Sequence, residues 1–297
     1  MHRLDFTALT KSYGSVTAVD SLTARVEPGR ITAFLGANGS GKTTSMRVLL
    51  GLAEPTAGTA TIDGNSYREL DHPLKTVGAV LDQGFHPGRT ARNHLRIVAG
   101  QAGAPAERID LLLDSVGLGD AARRRVGGFS LGMRQRLALA SALVGDPSVL
   151  VLDEPFNGLD PNGIQAMRIL LRRFADDGGT VLLSSHLLAE IAQCADDAII
   201  LDHGRLLAVG PVASLLPGGS AVLVATADAD LLALALTNRG GAVERISPEQ
   251  IRVSDASREL IGRTAADLHI AIFDMRSADS DLESAFQSLI HTTGSLR

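Results

Sequence analysis

A glycine-rich segment, GANGSGKTT at residues 36–44, has the residue types and spacing of a phosphate-binding loop. It fits the pattern G-x-x-x-x-G-K-[ST], in which glycines let backbone N–H groups surround phosphate oxygens. We expect Lys42 to reach the β- and γ-phosphates of a nucleotide and Thr43 to bind Mg²⁺. The other predicted contacts in this loop come from Gly36, Ala37, Asn38, Gly39, Ser40, Gly41 and Thr44.

A second segment, VLVLDEP at residues 149–155, ends an apolar run with two acids. An aspartate at the carboxyl end of a buried strand is placed to hold Mg²⁺ through water, which is the role predicted for Asp153. The neighbouring Glu154 is a candidate general base that orients and deprotonates an attacking water. Together with the phosphate loop, this pair indicates attack of water on the phosphate of a bound nucleotide.

A third segment, FSLGMRQRLALASAL at residues 129–143, predicts a helix whose start has an unusual charge. Ser130 is a natural N-cap for this helix. Its first turns, however, carry Arg134 and Arg136 and no acid, although the partial positive charge of a helix N-terminus favours anions. The pattern therefore raises the question of which negatively charged group this helix start faces.

The elements around these segments predict an α/β fold. Apolar runs alternate with helical patterns, which is typical of a largely parallel sheet covered by helices. A mostly helical insert at about residues 86–145 separates two of the strands. The strands are predicted at residues 3–9, 16–26, 31–35, 59–64, 77–81, 149–155, 180–185 and 197–202, and helices at about 42–52, 161–177 and 187–194.

The composition changes at LLPGG, residues 215–219, which suggests a second domain. We predict a nucleotide-binding domain over residues 1–216 and a small α+β domain over residues 217–297. The order β-α-β-β-α-β predicted for the second domain is that of a ferredoxin-like unit. Its strands are predicted at residues 220–226, 242–246, 250–254 and 268–274, and its helices at 229–238, 256–267 and 280–290.

Composition and charge narrow the class of protein. The net charge of −5 and the pI near 5.9 argue against a nucleic-acid partner, whose phosphates call for cationic contacts. The single cysteine, Cys194, allows no intramolecular disulfide, and the first residues lack the apolar core of a signal peptide, so we expect a cytoplasmic location. The uncharged stretch at residues 206–227 is long enough to span a bilayer, but its prolines and glycines predict a turn-rich junction between a helix and a strand.

At this point the chain resembles the nucleotide-binding subunits of ABC transporters over roughly residues 3–215. FSLGM at residues 129–133 is similar to the family signature LSGGQ, whose serine, glycine and helix N-terminus cap the γ-phosphate bound by the opposite subunit. The resemblance thus supplies the missing anion, a nucleotide held by a second copy. It implies nucleotide contacts for Ser130, Leu131, Gly132 and Met133.

Three further segments carry the same resemblance. KSYG at residues 11–14 is similar to the loop whose aromatic residue stacks on adenine, which implies that role for Tyr13. NGLD at residues 157–160 resembles the D-loop and implies that Asp160 lies at the dimer interface. SSH at residues 184–186 resembles the switch segment, which implies that His186 contacts the γ-phosphate.

The chain departs from the common family pattern at two places. Leu131 and Met133 replace a glycine and a glutamine of the signature, and the resulting SLGM is similar to the variant of bacitracin- and daunorubicin-resistance exporters. At the Q-loop, VGAVLDQGFHPGRT aligned without gaps puts Asp82 on the glutamine position. We favour Gln83, whose amide can contact both Mg²⁺ and the attacking water, with Asp82 as the alternative.

The resemblance implies how the subunit works and where it lies. The catalytic set would be Lys42, Gln83, Glu154 and His186, and two copies would sandwich two ATP molecules with Mg²⁺. A homodimer of this kind would drive a separate membrane permease from the cytoplasmic face of the membrane. Three alternatives stay open: a soluble ABC-type ATPase without a transport role, the ATPase subunit of an importer, and a P-loop kinase.

Overall fold

The computed structural model describes residues 2–81, 84–186, 188–215, 221–254 and 256–277. The chain divides into two compact units, the first ending at Val212 and the second beginning at Ala213. This division lies a few residues before the position at which the composition changes. It separates the segments with predicted chemistry, which all precede it, from the remainder of the chain.

The strands of the first unit form two sheets within the described ranges. Three strands form an antiparallel sheet in the order β2-β1-β4, and six form a second sheet in the order β5-β6-β7-β3-β8-β9. All neighbours in the second sheet are parallel except β8 and β9. The strands are β1 (Leu4–Tyr13), β2 (Val16–Val26), β3 (Ile31–Leu35), β4 (Ala57–Ile62), β5 (Val77–Val80), β6 (Val149–Leu152), β7 (Thr180–Ser185), β8 (Asp197–Asp202) and β9 (Arg205–Pro211).

Helices follow most of the parallel strands, as an α/β fold requires. Three of them lie in the insert between β5 and β6. The helices up to the end of the first unit are α1 (Lys42–Leu49), α2 (Pro73–Thr76), α3 (Ala91–Ala102), α4 (Glu107–Ser115), α5 (Leu131–Leu143), α6 (Pro161–Asp176) and α7 (Leu188–Ala192), and α8 (Val212–Leu215) lies at the junction.

The parallel sheet places the ends of its central strands side by side. Every residue of β3, β6 and β7 is buried, which is why these strands are largely apolar in the sequence. Leu35 pairs with Ser185, and Leu152 pairs with Leu183, so the carboxyl ends of the three strands meet at one edge. The phosphate loop, the Asp-Glu pair and the SSH segment leave the sheet at this edge, where open α/β sheets bind their ligands.

The two sheets of the first unit share one hydrophobic core. Phe6 of β1 packs against Phe34 of β3 with ring centroids 5.5 Å apart, and Met46 and Leu49 of α1 are fully buried in the same cluster. Burial of side chains of this size contributes about 1.5–3 kcal/mol each. The helix that begins at Lys42 is therefore fixed against both sheets.

Side-chain contacts join two helices of the insert, α3 and α5. His94 on α3 shares a hydrogen bond of 3.1 Å with the hydroxyl of Ser141 on α5, and Phe85 meets the His94 ring edge-on at 4.9 Å between centroids. Burial lowers the pKa of His94, and the charge of Arg89 lowers it further. The neutral imidazole is therefore part of the packing between α3 and α5.

The second unit contains an antiparallel sheet and two helices within its described residues. The strands lie in the order β11-β12-β10-β13. Leu232, Leu236, Ile251 and Val253 are fully buried in its core. The elements are β10 (Val222–Ala225), α9 (Ala229–Asn238), β11 (Ala242–Ser247), β12 (Gln250–Ser254), α10 (Arg258–Asp267) and β13 (Asp274–Ser277).

The last strand of this unit corrects a prediction. We predicted a strand at residues 268–274, whereas β13 begins at Asp274 and pairs with β10 from there. The backbone of Leu268 and Ile270 bonds back to Thr264 and Ala265 at the end of α10, so these apolar residues close a helix. The predicted helix at residues 280–290 lies outside the described residues.

Strand β9 corrects a second prediction. The uncharged stretch after residue 205 was expected to be a turn-rich junction between a helix and a strand, but residues Arg205–Pro211 pair antiparallel with β8 at the sheet edge. The apolar residues 206–209 are only partly buried in this edge strand, and their unbroken run lacks the polar alternation that marks a strand with one exposed face. No helix in the described ranges combines the length and hydropathy of a membrane span.

Candidate active site

The phosphate loop leaves β3 and closes on itself at the start of α1. The Nζ of Lys42 donates to the carbonyl oxygens of Gly36 at 2.7 Å and Ala37 at 3.1 Å, and the side chain is buried. Burial lowers the pKa of Lys42, while the carboxylates of Glu154 and Asp153 act in the opposite direction. The lysine is thus held inside the curve of the loop, close to both acids.

Two glycines of the loop are required by close backbone contacts. Gly41 has φ +104°, and a Cβ built on it would lie 2.6 Å from the carbonyl oxygen of Ala18. A Cβ on Gly36 would lie 2.3 Å from the carbonyl oxygen of Leu201. Gly204 in the turn after β8 also donates its N–H to the Ser40 carbonyl at 3.1 Å, so neighbouring backbone supports the loop from outside.

The remaining residues of the loop differ in exposure. Ala37, Asn38 and Gly39 at its tip are exposed, and Thr44 is half-buried in the first turn of α1. Such a loop presents its backbone outward at a helix N-terminus, which is the arrangement that binds anions.

The candidate metal-binding residues lie next to the loop. The Thr43 hydroxyl donates to Asp153 Oδ2 at 2.7 Å, and the Ser184 hydroxyl donates to Asp153 Oδ1. Hydroxyl and carboxylate oxygens are the donors that Mg²⁺ prefers, and Mg²⁺ usually takes its other ligands from phosphate and water. No group of three or more His, Cys, Asp or Glu in the described residues could hold a metal by itself. The pair Thr43 and Asp153 therefore fits a cation that is shared with a phosphorylated ligand.

The acid after Asp153 is paired with the histidine of the SSH segment. Glu154 Oε2 lies 2.9 Å from His186 Nδ1, and both side chains are partly exposed. The N–H of Glu154 donates to the Ser184 hydroxyl at 2.9 Å, and its carbonyl accepts from Gln135 Nε2 at 3.4 Å. The structure thus brings Glu154 and His186 together from the ends of β6 and β7.

Glu154 also has a strained backbone. Its φ of +48° lies in the left-handed region, which costs a non-glycine residue on the order of 1 kcal/mol. Ser184 and Gln135 hold the peptide groups of this residue in place. Both are buried polar side chains outside the predicted site; the signal in the sequence for Ser184 is a pair of serines that ends an apolar strand.

The predicted adenine-stacking residue is accessible. Tyr13 ends β1 and is 51% exposed, with Lys11 Nζ 4.7 Å from its ring centroid. An exposed aromatic ring at the end of a strand can stack on a purine base.

The signature turn forms a separate group of residues. Ser130 caps α5 as predicted, because its hydroxyl accepts from the Met133 N–H at 3.2 Å. Asp160 caps α6 in the same way, accepting from the Gly163 N–H at 2.9 Å. Leu131 and Gly132 pack against Gly158 of the NGLD segment. The turn and this segment therefore lie together on the same chain.

The charge of the signature helix has a partly local explanation. Arg136 Nη1 donates to the carbonyl oxygens of Val116 at 3.3 Å and Gly117 at 3.2 Å, at the end of α4. A cation at a helix C-terminus satisfies its last carbonyls and its partial negative charge. Arg136 is thus accounted for within the chain, which corrects the interpretation that a bound anion alone explains it. Gln83 and Asp82 lie outside the described residues.

Comparison with known proteins agrees with this arrangement. The family model described as "ABC transporter" matches residues 19–157. The bacitracin transport ATP-binding protein BcrA of Bacillus licheniformis is 45% identical over 205 residues, which cover 68% of this chain and 67% of BcrA. The lantibiotic transport ATP-binding protein SrtF of Streptococcus pyogenes is 36% identical over 200 residues, which cover 67% of this chain and 86% of SrtF.

A solved structure shows the same fold. The dimeric structure of MJ0796, a bacterial ABC transporter cassette, superposes with a TM-score of 0.65 at 23% identity, covering 70% of this chain and 98% of that one. The phosphate loop, the Asp-Glu pair and the signature helix all fall within the residues that the family model matches. The chain belongs to the ATP-binding subunits of ABC transporters, a family that binds and hydrolyses ATP.

Proposed function

We propose that this chain is the ATP-hydrolysing subunit of an ABC exporter, in which two copies close on two ATP molecules and drive a separate membrane permease. The observation that carries the proposal is the pairing of Glu154 with His186 beside Lys42, Thr43 and Asp153. A phosphate-binding loop, a cation site and a candidate base with its orienting partner thereby meet at one sheet edge.

Each of these residues has a chemical role that its contacts support. Lys42 neutralises phosphate oxygens from within the loop. Glu154 accepts a proton from the attacking water, and His186 orients its carboxylate through the hydrogen bond of 2.9 Å. Thr43 and Asp153 would hold a Mg²⁺ ion, which would neutralise charge on the phosphates. Gln83, or alternatively Asp82, remains the predicted contact to the cation and the water.

The signature turn, unlike the buried lysine of the phosphate loop, is exposed and therefore suits a ligand that is held by another chain. The Ser130 hydroxyl and the first N–H groups of α5 lie at an exposed helix start, where anions are favoured. We propose that Ser130, Leu131, Gly132 and Met133 cap the γ-phosphate of ATP held by a second copy, with Asp160 at the interface. The dimer reported for the MJ0796 cassette supports a dimeric assembly of this fold.

Transport requires a partner that crosses the membrane. A cassette of this family acts on such a partner by changing between open and closed dimers, so ATP shifts a two-state equilibrium. We propose a homodimer bound to a permease on a separate chain at the cytoplasmic face of the membrane. The names of BcrA and SrtF, together with the SLGM signature, support export of an antibiotic of the bacitracin or lantibiotic kind.

We further propose that residues 217–297 form an accessory domain of the ferredoxin-like type. Its support is the order β-α-β-β-α-β of the described elements and the antiparallel sheet that they form. No residue of the candidate site comes from this part of the chain.

The test is to identify what co-purifies with the chain from gently solubilised native membranes. Tagged Glu154→Gln chain is used with ATP and Mg²⁺, because loss of the base should hold the closed state. We expect a polypeptide with several hydrophobic spans, and we expect its recovery to fall in the matched Lys42→Ala chain. Recovery of soluble partners alone from both chains would contradict the transporter assignment and favour an ABC-type ATPase without a transport role.

A further inference from the structure

The side chain of Leu131, at the start of the signature helix, is directed onto the backbone of Gly158. A Cβ built on Gly158 would lie 2.3 Å from Leu131 Cδ2 and 2.4 Å from Cγ. Gly158 also has φ +76°, a conformation that glycine adopts without strain. The leucine thus occupies the space that any other residue at position 158 would need.

The backbone of the signature turn also lies close to the loop that contains Gly158. A Cβ built on Gly132 would lie 2.8 Å from the Gly158 carbonyl oxygen and 3.6 Å from Leu159 Cδ2. Each segment therefore has a glycine where the other approaches. A contact that needs complementary shapes on both sides tolerates little displacement of one segment relative to the other.

A hydrogen bond from α5 holds the other end of this loop, at Glu154. Gln135, one turn further along α5, is buried and donates to the Glu154 carbonyl at 3.4 Å. Within the loop, Asn157 donates its N–H to that carbonyl and Leu159 donates to the Phe156 carbonyl, both at 3.2 Å. The segment from residue 154 to 158 is therefore fixed to α5 at both of its ends.

We propose that Leu131 is a positioning residue, which fixes the loop from Glu154 to Asp160 to the signature turn of its own chain. When that turn engages a nucleotide on a second copy, the loop carrying the base and the interface aspartate follows it. This inference rests on the proposed function and adds a connection within one chain. A glycine at position 131, as in the commoner signature, would leave the face of Gly158 uncovered.

The test is a set of variants in the full chain, assayed for ATP turnover. Leu131→Ala shortens the side chain and is expected to lower kcat about tenfold with KM for ATP unchanged, because position and not binding is affected. Leu131→Met, which preserves volume, should restore most of the rate. The matched control is Leu111→Ala on α4, a leucine that is 70% exposed and should leave kcat unchanged.

A double-variant cycle tests the contact itself. Gly158→Ala should lower kcat about tenfold or more through its clash with Leu131, and adding Leu131→Gly should recover part of that loss. Wild-type kcat in Leu131→Ala, or strictly additive effects in the cycle, would overturn the inference. If Gly158→Ala does not fold, the comparison of Leu131→Ala with Leu131→Met decides. Failure of the proposed hydrolytic site is recognised separately, because Glu154→Gln would then turn over ATP normally, and failure of the transport role is recognised by the absence of a membrane-spanning partner.

Discussion

The phosphate loop and the signature turn, for which we propose the same kind of ligand, are built in opposite ways. Lys42 is only 5% exposed and its ammonium is enclosed by carbonyls of its own loop, whereas Leu131 is 54% exposed at a helix start that faces outward. Thr43, Asp153 and Ser184 form a bonded chain from separate elements, while the Ser130 hydroxyl accepts from its own helix. The first region is therefore organised within one chain. The second has its shape fixed but leaves Ser130 and Leu131 at the helix start exposed.

The phosphate loop and the signature turn also differ in which neighbouring segments support them. The phosphate loop depends on the neighbouring backbone of Ala18, Leu201 and Gly204, which leaves no room for side chains. The signature turn depends on a single loop, residues 154–160, that also carries the candidate base. Variants in the first region should therefore affect binding by the monomer, and variants in the second should affect turnover by the pair.

The largest effect is expected when the buried lysine is removed. Lys42→Ala should weaken ATP binding at least about 100-fold, because charge-assisted hydrogen bonds to phosphate are lost in a site with low exposure. Equilibrium binding of a fluorescent ATP analogue measures this. Lys75→Ala, at an exposed lysine on α2, is the control and should bind normally. Unchanged binding in Lys42→Ala would remove the basis for the phosphate loop.

Removal of the candidate base separates chemistry from binding. Glu154→Gln should lower kcat by about 10²- to 10⁴-fold while ATP binding is retained. The amide can still accept a hydrogen bond from the attacking water, but it is too weak a base to take the proton. Single-turnover hydrolysis and sedimentation with ATP measure the rate and the trapped dimer. Glu107→Gln, an exposed acid in the first turn of α4, provides the comparison. Normal turnover in Glu154→Gln would mean that another group positions the water.

Loss of the signature cap should sharpen the contrast between the two regions. Ser130→Ala removes an N-cap worth about 1 kcal/mol and, in the proposed dimer, a contact to the nucleotide of the second copy. We expect turnover to fall about tenfold with monomer affinity for ATP unchanged. Ser257→Ala removes the equivalent cap of α10, where the hydroxyl accepts from the Leu260 N–H at 3.1 Å, and changes no residue of the candidate site. An equal loss of turnover in both variants would point to helix stability and against a cross-subunit role.

The smallest effect is expected on the pH dependence of stability, through His94 in the helical insert. Because burial and Arg89 lower the pKa of His94 in the folded chain, the unfolded chain binds the proton more tightly. The contribution of neutral His94 to stability is complete above the ordinary histidine pKa of 6.5 and is lost as pH falls through the lower folded value.

The thermal midpoint of the chain should therefore decline on acidification below about pH 6.5, and less steeply in His94→Gln, which stays neutral. Thermal unfolding followed by circular dichroism between pH 5 and about 8 measures the two slopes. The exposed His72→Gln provides the control, whose slope should equal that of the original chain. Equal slopes for His94→Gln and the original chain would show that this histidine does not contribute to the pH dependence.

Several features of the fold could be predicted from the sequence because each depends on local pattern. Largely apolar runs without polar alternation identified β3, β6 and β7, since strands buried on both faces need no alternation. Ser130 before a helical pattern predicted the cap of α5, and the structure confirms it. The phosphate loop was recognisable because its glycines and lysine are consecutive in the chain.

The tertiary structure decided what depends on residues far apart in the chain. The start of β13 is defined by backbone pairing with β10, about fifty residues earlier in the chain, which side-chain patterns do not encode. The contacts of Ser184 with Asp153, of Gln135 with Glu154 and of Leu131 with Gly158 arise only when separate elements pack together. Residue types and spacing along the chain thus determined the chemistry available to this protein. The packing of α5 against the loop after β6 determined which residues hold that chemistry in place, because close contact is a property of the folded surface.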